Sequence, residues 1–385
     1  MKICFVCNEY PPTKHGGIGT FVQSLGRALV ASGHKVRAIG FESGLLEARL
    51  HVDEGVTVYR FPVPRVSFGW LFARAQVYRK ISKWARDREI DIVEAPDYLG
   101  LAAYWPRLNV PVVTRLHGSL AYYANELSTK RSRLGEGLEN ASLRRSDFVC
   151  SVSHYAAGRS REIFDLGQRD ITVIHNSVRI FDSELPCRSE NKVVFGGTIT
   201  RKKGIISLVQ SWPAVLRDHP MAELHIYGKD GVTENGQSLT ETLRAGICGP
   251  VSNSVHFHGH VDSNTLRNAL RTARVCVFPS YSEAFSLAPM EAMAEGCPTI
   301  FTKHATGREL IEDGKHGLLV DPDHPEEISR AISQVLDNDD IAARLGAAGK
   351  SRIVNDFSPS QWLRKNEDFY AACMKAFRSN FGGGV

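Results

Sequence analysis

The chain has 385 residues, of which 43% are hydrophobic and 23% are charged, and its formal net charge is +5. This balance is typical of a globular protein and excludes a largely disordered one, while the length predicts about two domains. No apolar run approaches the roughly 18 residues that cross a bilayer, and the short apolar start is typical of a buried strand, so we expect a cytoplasmic protein without a transmembrane helix.

The first half of the chain alternates short β-rich segments with helical patterns, which predicts a parallel sheet covered on both faces. The first predicted helix is Phe21–Ala31. Cys4 and Cys7 lie three residues apart in the first strand, so their side chains face opposite sides and do not predict a metal or redox pair. We expect most of the eight cysteines to be buried free thiols. The predicted strands are Ile3–Cys7, Val36–Phe41, Val56–Arg60, Ile90–Glu94, Val110–Leu116, Phe148–Val152 and Ile171–Ile174.

A basic segment, residues 65–88, carries seven cations and one acid, interleaved with aromatic residues. Helical spacing of its apolar residues predicts an amphipathic helix, with a core-facing side made of Leu71, Ala75, Tyr78, Trp84 and Ala85. One interpretation is a core helix with a solvated basic face. The other is a surface that touches anionic lipid or an anionic acceptor. Nucleic acid is not an expected partner, because no nucleic-acid-binding motif accompanies the segment.

The polar, proline-containing segment Asp182–Lys192 predicts a linker, after which the alternation of strands and helices restarts. We therefore expect residues 183–358 to form a second α/β domain. A last predicted helix, Pro359–Phe377, carries apolar residues at near-helical spacing and is expected to return to the first domain, which would comprise residues 1–182 and 359–385. Ligands of such doubly wound sheets bind at the carboxyl ends of the strands, so the expected site is the cleft between the domains.

The predicted elements of the second half are equally regular. The strands are Val193–Gly196, Glu223–Tyr227, Val255–Phe257, Arg274–Phe278, Pro298–Thr302 and Gly317–Val320. The helices are Ile205–Leu216, Leu239–Ala245, Asn264–Thr272, Leu287–Glu295, Pro325–Leu336 and Ile341–Lys350.

Two glutamates follow the predicted strand that ends at Phe278. Glu283 lies in the loop just after this strand, and Glu291 comes eight residues later, about two turns into the next helix. The start of that helix, near residues 285–287, offers backbone amides that suit a phosphate, and the carboxylates can accept hydrogen bonds from sugar hydroxyls. The alternative is structural: Glu283 would complement the helix dipole and Glu291 would be a solvated helix residue.

A second loop joins a strand to a helix through Gly196-Gly197 and the three consecutive cations Arg201, Lys202 and Lys203. Glycines let the backbone approach a ligand, and cations at a helix start favour an anion. The pattern is not a Walker loop, because no Gly-Lys-Ser/Thr follows. The alternative is an ordinary surface turn with exposed cations.

A glycine-rich loop, Gly16-Gly17-Ile18-Gly19, follows the first strand. Its spacing does not match the dinucleotide fingerprint, which disfavours an NAD-dependent dehydrogenase. The backbone amides of such a loop can still bind an anion. His117 ends another strand, and this place favours a functional role over the structural one that most lone histidines have.

Together, these segments resemble the retaining glycosyltransferases of family 4, which have the GT-B fold of two Rossmann-like domains. The resemblance covers nearly the whole chain. Glu283-x7-Glu291 is similar to the E-x7-E signature of that family. Gly197-x5-Lys203-Gly204 resembles its diphosphate loop, and Gly16-Gly17 resembles its N-terminal glycine pair.

The resemblance implies a role for each matching residue. Glu283 would hold the donor sugar, Glu291 the ribose, and His117 would lie beside the transferred sugar, so that His117, Lys203 and Glu283 form the catalytic set. Thr198 stands where many members carry an arginine, which makes Arg201 or Lys202 the candidate for that charge. The implied diphosphate-binding residues are Gly16, Gly17, Gly197, Arg201, Lys203, Phe285, Ser286 and Leu287.

The implied activity is transfer of a hexosyl or N-acetylhexosaminyl group, with retention, from a nucleotide diphosphate sugar to a glycan or lipid-linked acceptor. A UDP-sugar is favoured over GDP-mannose as donor. Cations and a helix N-terminus can stabilise the leaving diphosphate, so neither a metal nor a cofactor is expected. A lipid-linked acceptor would fit peripheral contact of the basic segment with the anionic inner face of the membrane.

Two other functions are compatible with the same fold. A nucleotide-sugar epimerase or a sugar phosphorylase would use the same site without a sugar acceptor. An inactive sugar-nucleotide-binding subunit would require losses at the signature, whereas Lys203, Glu283 and Glu291 are all present.

Overall fold

The computed structural model describes residues 1–13, 16–181 and 188–381. The chain forms two compact units: one comprises Met1–Asn176 and Ser360–Val385, and the other comprises Ser177–Pro359. The predicted linker Asp182–Lys192 falls in the sequence of the second unit, and residues 182–187 of it lie outside the described residues. Glycines 382–384 also lie outside them.

The described part of the first unit contains one eight-stranded sheet. Its strands are β1 (Lys2–Val6), β2 (Lys35–Glu42), β3 (Arg49–Asp53), β4 (Val56–Pro62), β5 (Ile92–Pro96), β6 (Val112–Leu116), β7 (Phe148–Ser151) and β8 (Ile171–Val173). The strand order is β3-β4-β2-β1-β5-β6-β7-β8. All neighbours are parallel except β3 and β4, which form an antiparallel pair. The sequence did not predict β3, because an edge strand with largely exposed residues shows no apolar signal.

Helices cover this first sheet. They are α1 (Gly17–Ala31), α2 (Gly69–Arg86), α3 (Leu120–Glu126), α4 (Arg133–Arg145), α5 (His154–Ile163) and, from the C-terminus of the chain, α14 (Pro359–Phe381). Trp362, Phe369 and Tyr370 of α14 are buried in the same core cluster as Ile3 and Phe5 of β1. The last helix therefore packs on the core of the first unit.

The predicted core face of the basic helix is partly wrong. In α2, Ala73, Val77 and Ile81 join Trp84 and Ala85 on the buried side, whereas the side chain of Leu71 is 48% exposed. The buried residues form a stripe at helical spacing. Apolar residues at the start of the segment, Val66, Phe68, Leu71 and Phe72, remain exposed instead.

The second unit contains one six-stranded sheet within its described residues. Its strands are β9 (Lys192–Gly196), β10 (Glu223–Tyr227), β11 (Val255–Gly259), β12 (Val275–Phe278), β13 (Thr299–Thr302) and β14 (Leu318–Val320). The order is β11-β10-β9-β12-β13-β14, and every neighbouring pair is parallel. The predicted doubly wound parallel sheet is confirmed here as in the first unit.

The helices of the second unit pack against its sheet and one another. They are α6 (Ile205–Asp218), α7 (Leu239–Gly246), α8 (Gly249–Ser254), α9 (Ser263–Thr272), α10 (Leu287–Ala294), α11 (Gly307–Leu310), α12 (Pro325–Asp337) and α13 (Asp339–Asp356). Trp212 of α6 and Ile328 of α12 are fully buried in the core with strand residues such as Val193 and Leu224.

The cysteines behave largely as predicted. Cys4 and Cys7 lie in different core clusters, as expected for positions on opposite faces of β1. The cysteines of the described residues are free thiols, and among them only Cys248 is exposed, while Cys187 lies outside the described residues. None of the described helices has the length and apolarity needed to cross a membrane.

Candidate functional site

The second sheet reverses its strand order between β9 and β12. From β9 the chain adds β10 and β11 on one side, and from β12 it adds β13 and β14 on the other. The loops that leave these two neighbouring strands therefore diverge and leave a crevice at their carboxyl ends, where open α/β sheets bind ligands. The cationic loop follows β9 and the Glu283 loop follows β12, so both predicted segments lie at this crevice.

Lys203 and Glu283 meet at this position. The Lys203 Nζ lies 2.6 Å from Glu283 Oε1, and the Ser280 hydroxyl donates to the same oxygen at 2.9 Å. The Glu283 side chain is buried, whereas Lys203 keeps partial exposure. A buried carboxylate is tolerated here because a cation and a hydroxyl compensate its charge.

The charges of the two loops shift each other's pKa. Burial alone would raise the pKa of Glu283, but Lys203 and Lys202, together with the hydrogen bond from Ser280, lower it below its usual value. Burial lowers the pKa of Lys202 to about 8, although Glu283 opposes this shift. The crevice therefore holds an ionised carboxylate and a lysine that loses its charge as the pH rises through about 8.

Glycines allow the two loops to approach closely. Gly204 has a φ of +69°, and a Cβ at this position would lie 1.7 Å from the carbonyl oxygen of Pro279 in the β12 loop. Gly197 has a φ of +153°, which also disfavours other residues. Replacing Gly204 would therefore separate the loop that carries Lys203 from the loop that carries Glu283.

Helix α10 begins at the same edge of the sheet. Ser286 is its N-cap residue but its side chain makes no capping hydrogen bond, so the backbone amides near Leu287 are not capped by it. Glu291 lies on α10, half-buried, and desolvation raises the pKa of this carboxyl. Hydrogen bonds from a diol would offset the desolvation of such a carboxylate.

Arg201 lies outside the buried pair. Its side chain is 78% exposed and its Nη1 lies 3.3 Å from Glu234, which is exposed as well. An exposed pair of this kind is weak and leaves the guanidinium able to rearrange. Of the predicted cations, the structure thus brings Lys203, and not Arg201, into contact with Glu283.

The first sheet also reverses its strand order, between β1 and β5. The glycine-rich loop follows β1 and leads into α1, with Gly16 as N-cap. The Gly16 amide donates to the Glu9 carboxylate at 3.1 Å. Among the residues that the structure describes, a Cβ on Gly17 would meet no atom within 4 Å, at the N-terminus of a helix.

A buried carboxylate holds His117 in place. Asp97, at the end of β5, accepts hydrogen bonds from the backbone amides of His117 at 2.9 Å and Gly118 at 3.2 Å. Burial raises the pKa of Asp97 to about 7 despite these two donors. Burial, with a smaller contribution from the charge of Arg115, lowers the pKa of His117 to about 3. His117 is therefore a neutral imidazole, and its ring packs edge-on against Phe21 at a centroid distance of 4.7 Å.

A second buried acid supports the same loops. Glu139 of α4 accepts hydrogen bonds from the amides of Leu120 at 2.8 Å, Ala121 at 3.0 Å and Leu99 at 3.2 Å. These amides belong to the start of α3 and to the turn after Asp97. Glu139 therefore ties the segment beyond His117 to the segment beyond β5.

An ion pair lies beneath His117. Arg115 binds Glu94 through two hydrogen bonds of 2.8 Å, and it donates to Asn366 of α14 at 2.7 Å. The Tyr370 hydroxyl, also on α14, donates to Glu94 at 2.8 Å. A bidentate pair with further partners is the geometry in which a buried charge is tolerated, and this one connects β5, β6 and the C-terminal helix.

Some residues of these sites were missed by sequence reasoning. Asp97 follows an apolar strand, the same signal that singled out His117, and could have been found by it. Glu9 lies between β1 and the glycine-rich loop, and the sequence assigned it no role. Glu139 gives no local signal, because its partners lie 18 to 40 positions away in the chain.

Each of the two units matches a glycosyltransferase family model. Residues 16–177 match the family model described as a glycosyl transferase 4-like domain, and residues 190–338 match the model described as glycosyl transferases group 1. Glycogen synthase of Mycobacterium tuberculosis is 27% identical, with 98% of this chain and 96% of that protein aligned.

Solved structures give the same fold. Sucrose-phosphate synthase from Thermosynechococcus elongatus superposes with a TM-score of 0.80 at 21% identity, covering 98% of this chain and all of that one. The Anabaena protein HepE, solved in complex with UDP, superposes with a TM-score of 0.73 at 19% identity, covering 97% of this chain and all of that one. The GT-B fold predicted from the sequence is confirmed.

Proposed function

Since this chain is a glycosyltransferase of the GT-B type, we propose that it belongs to family 4. In this proposal it transfers a hexosyl or N-acetylhexosaminyl group from a UDP-sugar to a glycan or lipid-linked acceptor. The transfer proceeds with retention and without a metal. The observation that carries this proposal is the Lys203–Glu283 pair of 2.6 Å at the reversal of the second sheet. The UDP complex of HepE supports UDP over GDP.

In this proposal the second unit binds the donor. The diphosphate competes with Glu283 for the Lys203 ammonium, so that the cation moves its charge to the leaving group when donor is bound. The partly buried Lys202 and the exposed Arg201 add positive charge. Backbone amides of Gly197 and of residues 285–287 complete the anion site.

The two signature glutamates act on different parts of the donor. Glu283, released from Lys203, accepts hydrogen bonds from hydroxyls of the transferred sugar. Glu291 accepts hydrogen bonds from the ribose diol, and these replace the water that the half-buried carboxyl lacks. Glu283 lies in the loop before α10 and Glu291 lies about one turn into this helix, and this separation suits contacts with two ends of one ligand.

In this proposal the first unit positions the acceptor, and its Gly16-Gly17 loop offers backbone amides that suit an anion. The acceptor oxygen attacks the anomeric carbon from the face of the leaving group. The bond from this carbon to the diphosphate oxygen breaks, and the diphosphate takes the acceptor proton. His117 is neutral, and it contributes a hydrogen bond beside the transferred sugar rather than a positive charge.

We further propose that an α2 docking surface, formed by Val66, Phe68, Leu71 and Phe72 with the cations that follow, contacts an anionic bilayer at the inner face of the membrane. Four exposed residues of α2 are spaced at intervals of seven, four and three, so they lie along one side of the helix. They are Phe72, Arg79, Lys83 and Arg86. Exposed aromatics beside cations fit an interface of acyl chains and anionic headgroups.

Nucleotide binding followed by product analysis tests the function. The full-length protein is heated with UDP, GDP and ADP, and UDP is expected to raise the melting temperature most. A nucleotide at about 100 times its dissociation constant adds about 2.7 kcal/mol to the free energy of unfolding. UDP-glucose and UDP-N-acetylglucosamine are then assayed with glycan and lipid-linked acceptors. An epimerised donor, a phosphorolysis product, or binding without any turnover would contradict the proposal.

A further inference from the structure

Four polar side chains share one face of strands β10 and β11, away from the core. Glu223 and His225 alternate along β10 with Leu224 and Ile226, which are buried in the core of the second unit. On β11, His256 is the register partner of His225, and His258 follows two positions later on the same face. This face therefore gathers three imidazoles and a carboxylate.

The distances within this cluster are those of potential ligands. His225 Nε2 lies 3.1 Å from Glu223 Oε2, and His225 Nδ1 lies 2.9 Å from His258 Nε2. One ligand atom from each of Glu223, His225 and His256 lies within 4.8 Å of the other two. Among the described residues, the only other group of this kind is His304, Asp321 and Asp323, where Lys303 already pairs with Asp321 at 3.2 Å.

We propose that Glu223, His225 and His256 bind one divalent transition-metal ion of the zinc class, with water as fourth ligand. Zinc bonds of about 2.0–2.1 Å place tetrahedral ligand atoms roughly 3.3 Å apart. Glu223 and His225 already meet this spacing, and the ligand atom of His256 lies within 4.8 Å of both. His258 then hydrogen-bonds to the free nitrogen of His225 and orients the ring, as outer partners of metal-bound histidines do.

The ligand types of the cluster are compatible with zinc, which takes imidazole nitrogens and carboxylate oxygens. Glu223 is exposed and supplies the negative charge.

The metal would hold an edge strand rather than take part in the transfer. β11 is the outermost strand of its sheet, and beyond the cluster the Gly228 amide donates to the Gly259 carbonyl at 2.8 Å. Tyr227 stacks on His258 at 4.3 Å and its carbonyl accepts from the Gly197 amide at 2.9 Å. The ion would thus stabilise the strands on which the Gly197 loop rests.

Zinc titration calorimetry on the full-length, tag-free protein, stripped of metal with a chelator, tests the site, and cobalt absorption reports the geometry. We expect one equivalent of zinc to bind and the cobalt spectrum to be tetrahedral. His256→Gln should weaken zinc binding more than about tenfold, and His258→Gln about tenfold. His260→Gln, an exposed histidine outside the cluster, should stay within about twofold.

Three results would overturn the proposal. These are no zinc binding by the wild type, binding that His256→Gln leaves intact, and binding that His304→Gln abolishes. If His256→Gln fails to fold by circular dichroism, Glu223→Gln, at an exposed position, replaces it with the same expectation. Because the readout is binding and not turnover, a negative result leaves the proposed transferase function untouched.

Discussion

The two sheets reverse their strand order at β1–β5 and at β9–β12, but the side chains beside the two reversals differ in charge. In the second unit, Lys202 and Lys203 surround an ionised Glu283. In the first unit, His117 at the end of β6 is neutral. The oxygens of the buried Asp97 accept hydrogen bonds from backbone amides. The same topology thus places cations beside one reversal and, beside the other, a neutral imidazole and a carboxyl that accepts hydrogen bonds from backbone amides.

This difference fits two separate roles in the proposed reaction. A leaving diphosphate gains negative charge in the transition state, so its site requires fixed positive charge. An acceptor hydroxyl and a transferred sugar are uncharged, and a site for them requires orientation instead. The following experiments separate charge from orientation, beginning with the residue for which we expect the largest effect.

Replacing Lys203 tests the charged crevice most directly. Lys203→Ala should lower kcat by roughly 10²–10³-fold, because the cation acts mainly on charge that develops in the transition state. Steady-state kinetics with saturating donor measures the effect. Lys315→Ala, which removes an exposed cation paired with Glu312 in the same unit, is the matched control. An unchanged kcat in Lys203→Ala would remove the basis of the assignment.

The two glutamates should separate binding from transfer. Glu291→Ala should weaken UDP binding by about 1.5–3 kcal/mol, because a ribose contact is present in ground and transition states alike. Glu283→Ala should leave UDP binding nearly unchanged but impair transfer, since UDP lacks the sugar that this carboxylate holds. Calorimetry with UDP on both variants measures the difference.

Because Glu283 also pairs with Lys203 in the free protein, its removal frees the cation for the diphosphate and should not reduce UDP affinity. Loss of UDP affinity in Glu283→Ala with retention in Glu291→Ala would reverse the two roles. Unchanged binding and turnover in both variants would make the pair structural.

Much of this arrangement was predictable because it is local. The periodicity of apolar residues indicates where strands end and helices begin. The loops that carry Lys203 and Glu283 could therefore be located from the sequence alone. The site in the first unit was harder to predict, because the partners of Asp97 and Glu139 are backbone amides distant in the chain, and every residue type except proline carries such an amide. The core face of α2 was misjudged because the segment offers two apolar groups, and only tertiary packing decides which of them is buried.

The pH dependence of kcat/KM tests whether the charge of Lys202 contributes to donor binding. Lys202 has a pKa lowered to about 8, so it is charged below this pH and loses its charge as the pH rises through it. If its charge attracts the donor, kcat/KM, which reports the free enzyme, should fall above pH 8 by up to about tenfold per unit. Lys202→Arg should move this fall to higher pH, since arginine stays charged. Superimposable pH profiles of the two proteins would exclude Lys202 from donor binding.

Vesicle binding by the α2 docking surface tests whether the acceptor is lipid-linked. The protein should co-sediment with anionic vesicles and be released by salt. Arg79→Ser should reduce the vesicle partition coefficient by roughly fivefold, from about 1 kcal/mol per cation at a charged surface. Met221→Ser, which removes an exposed apolar side chain of the second unit, should have no effect. Equal recovery with neutral and anionic vesicles would favour a soluble acceptor.

The smallest expected effect is that of chelation on turnover. If Lys203 and helix amides stabilise the leaving diphosphate, no metal is needed for the chemistry, and EDTA should leave kcat and the donor KM unchanged at temperatures well below unfolding. A zinc ion at Glu223, His225 and His256 would nevertheless stabilise the folded chain, so EDTA should lower the melting temperature of protein loaded with zinc. Measuring both quantities on one sample separates the two roles. Turnover that EDTA abolishes and that manganese or magnesium restores would show that the cationic crevice is insufficient without a metal.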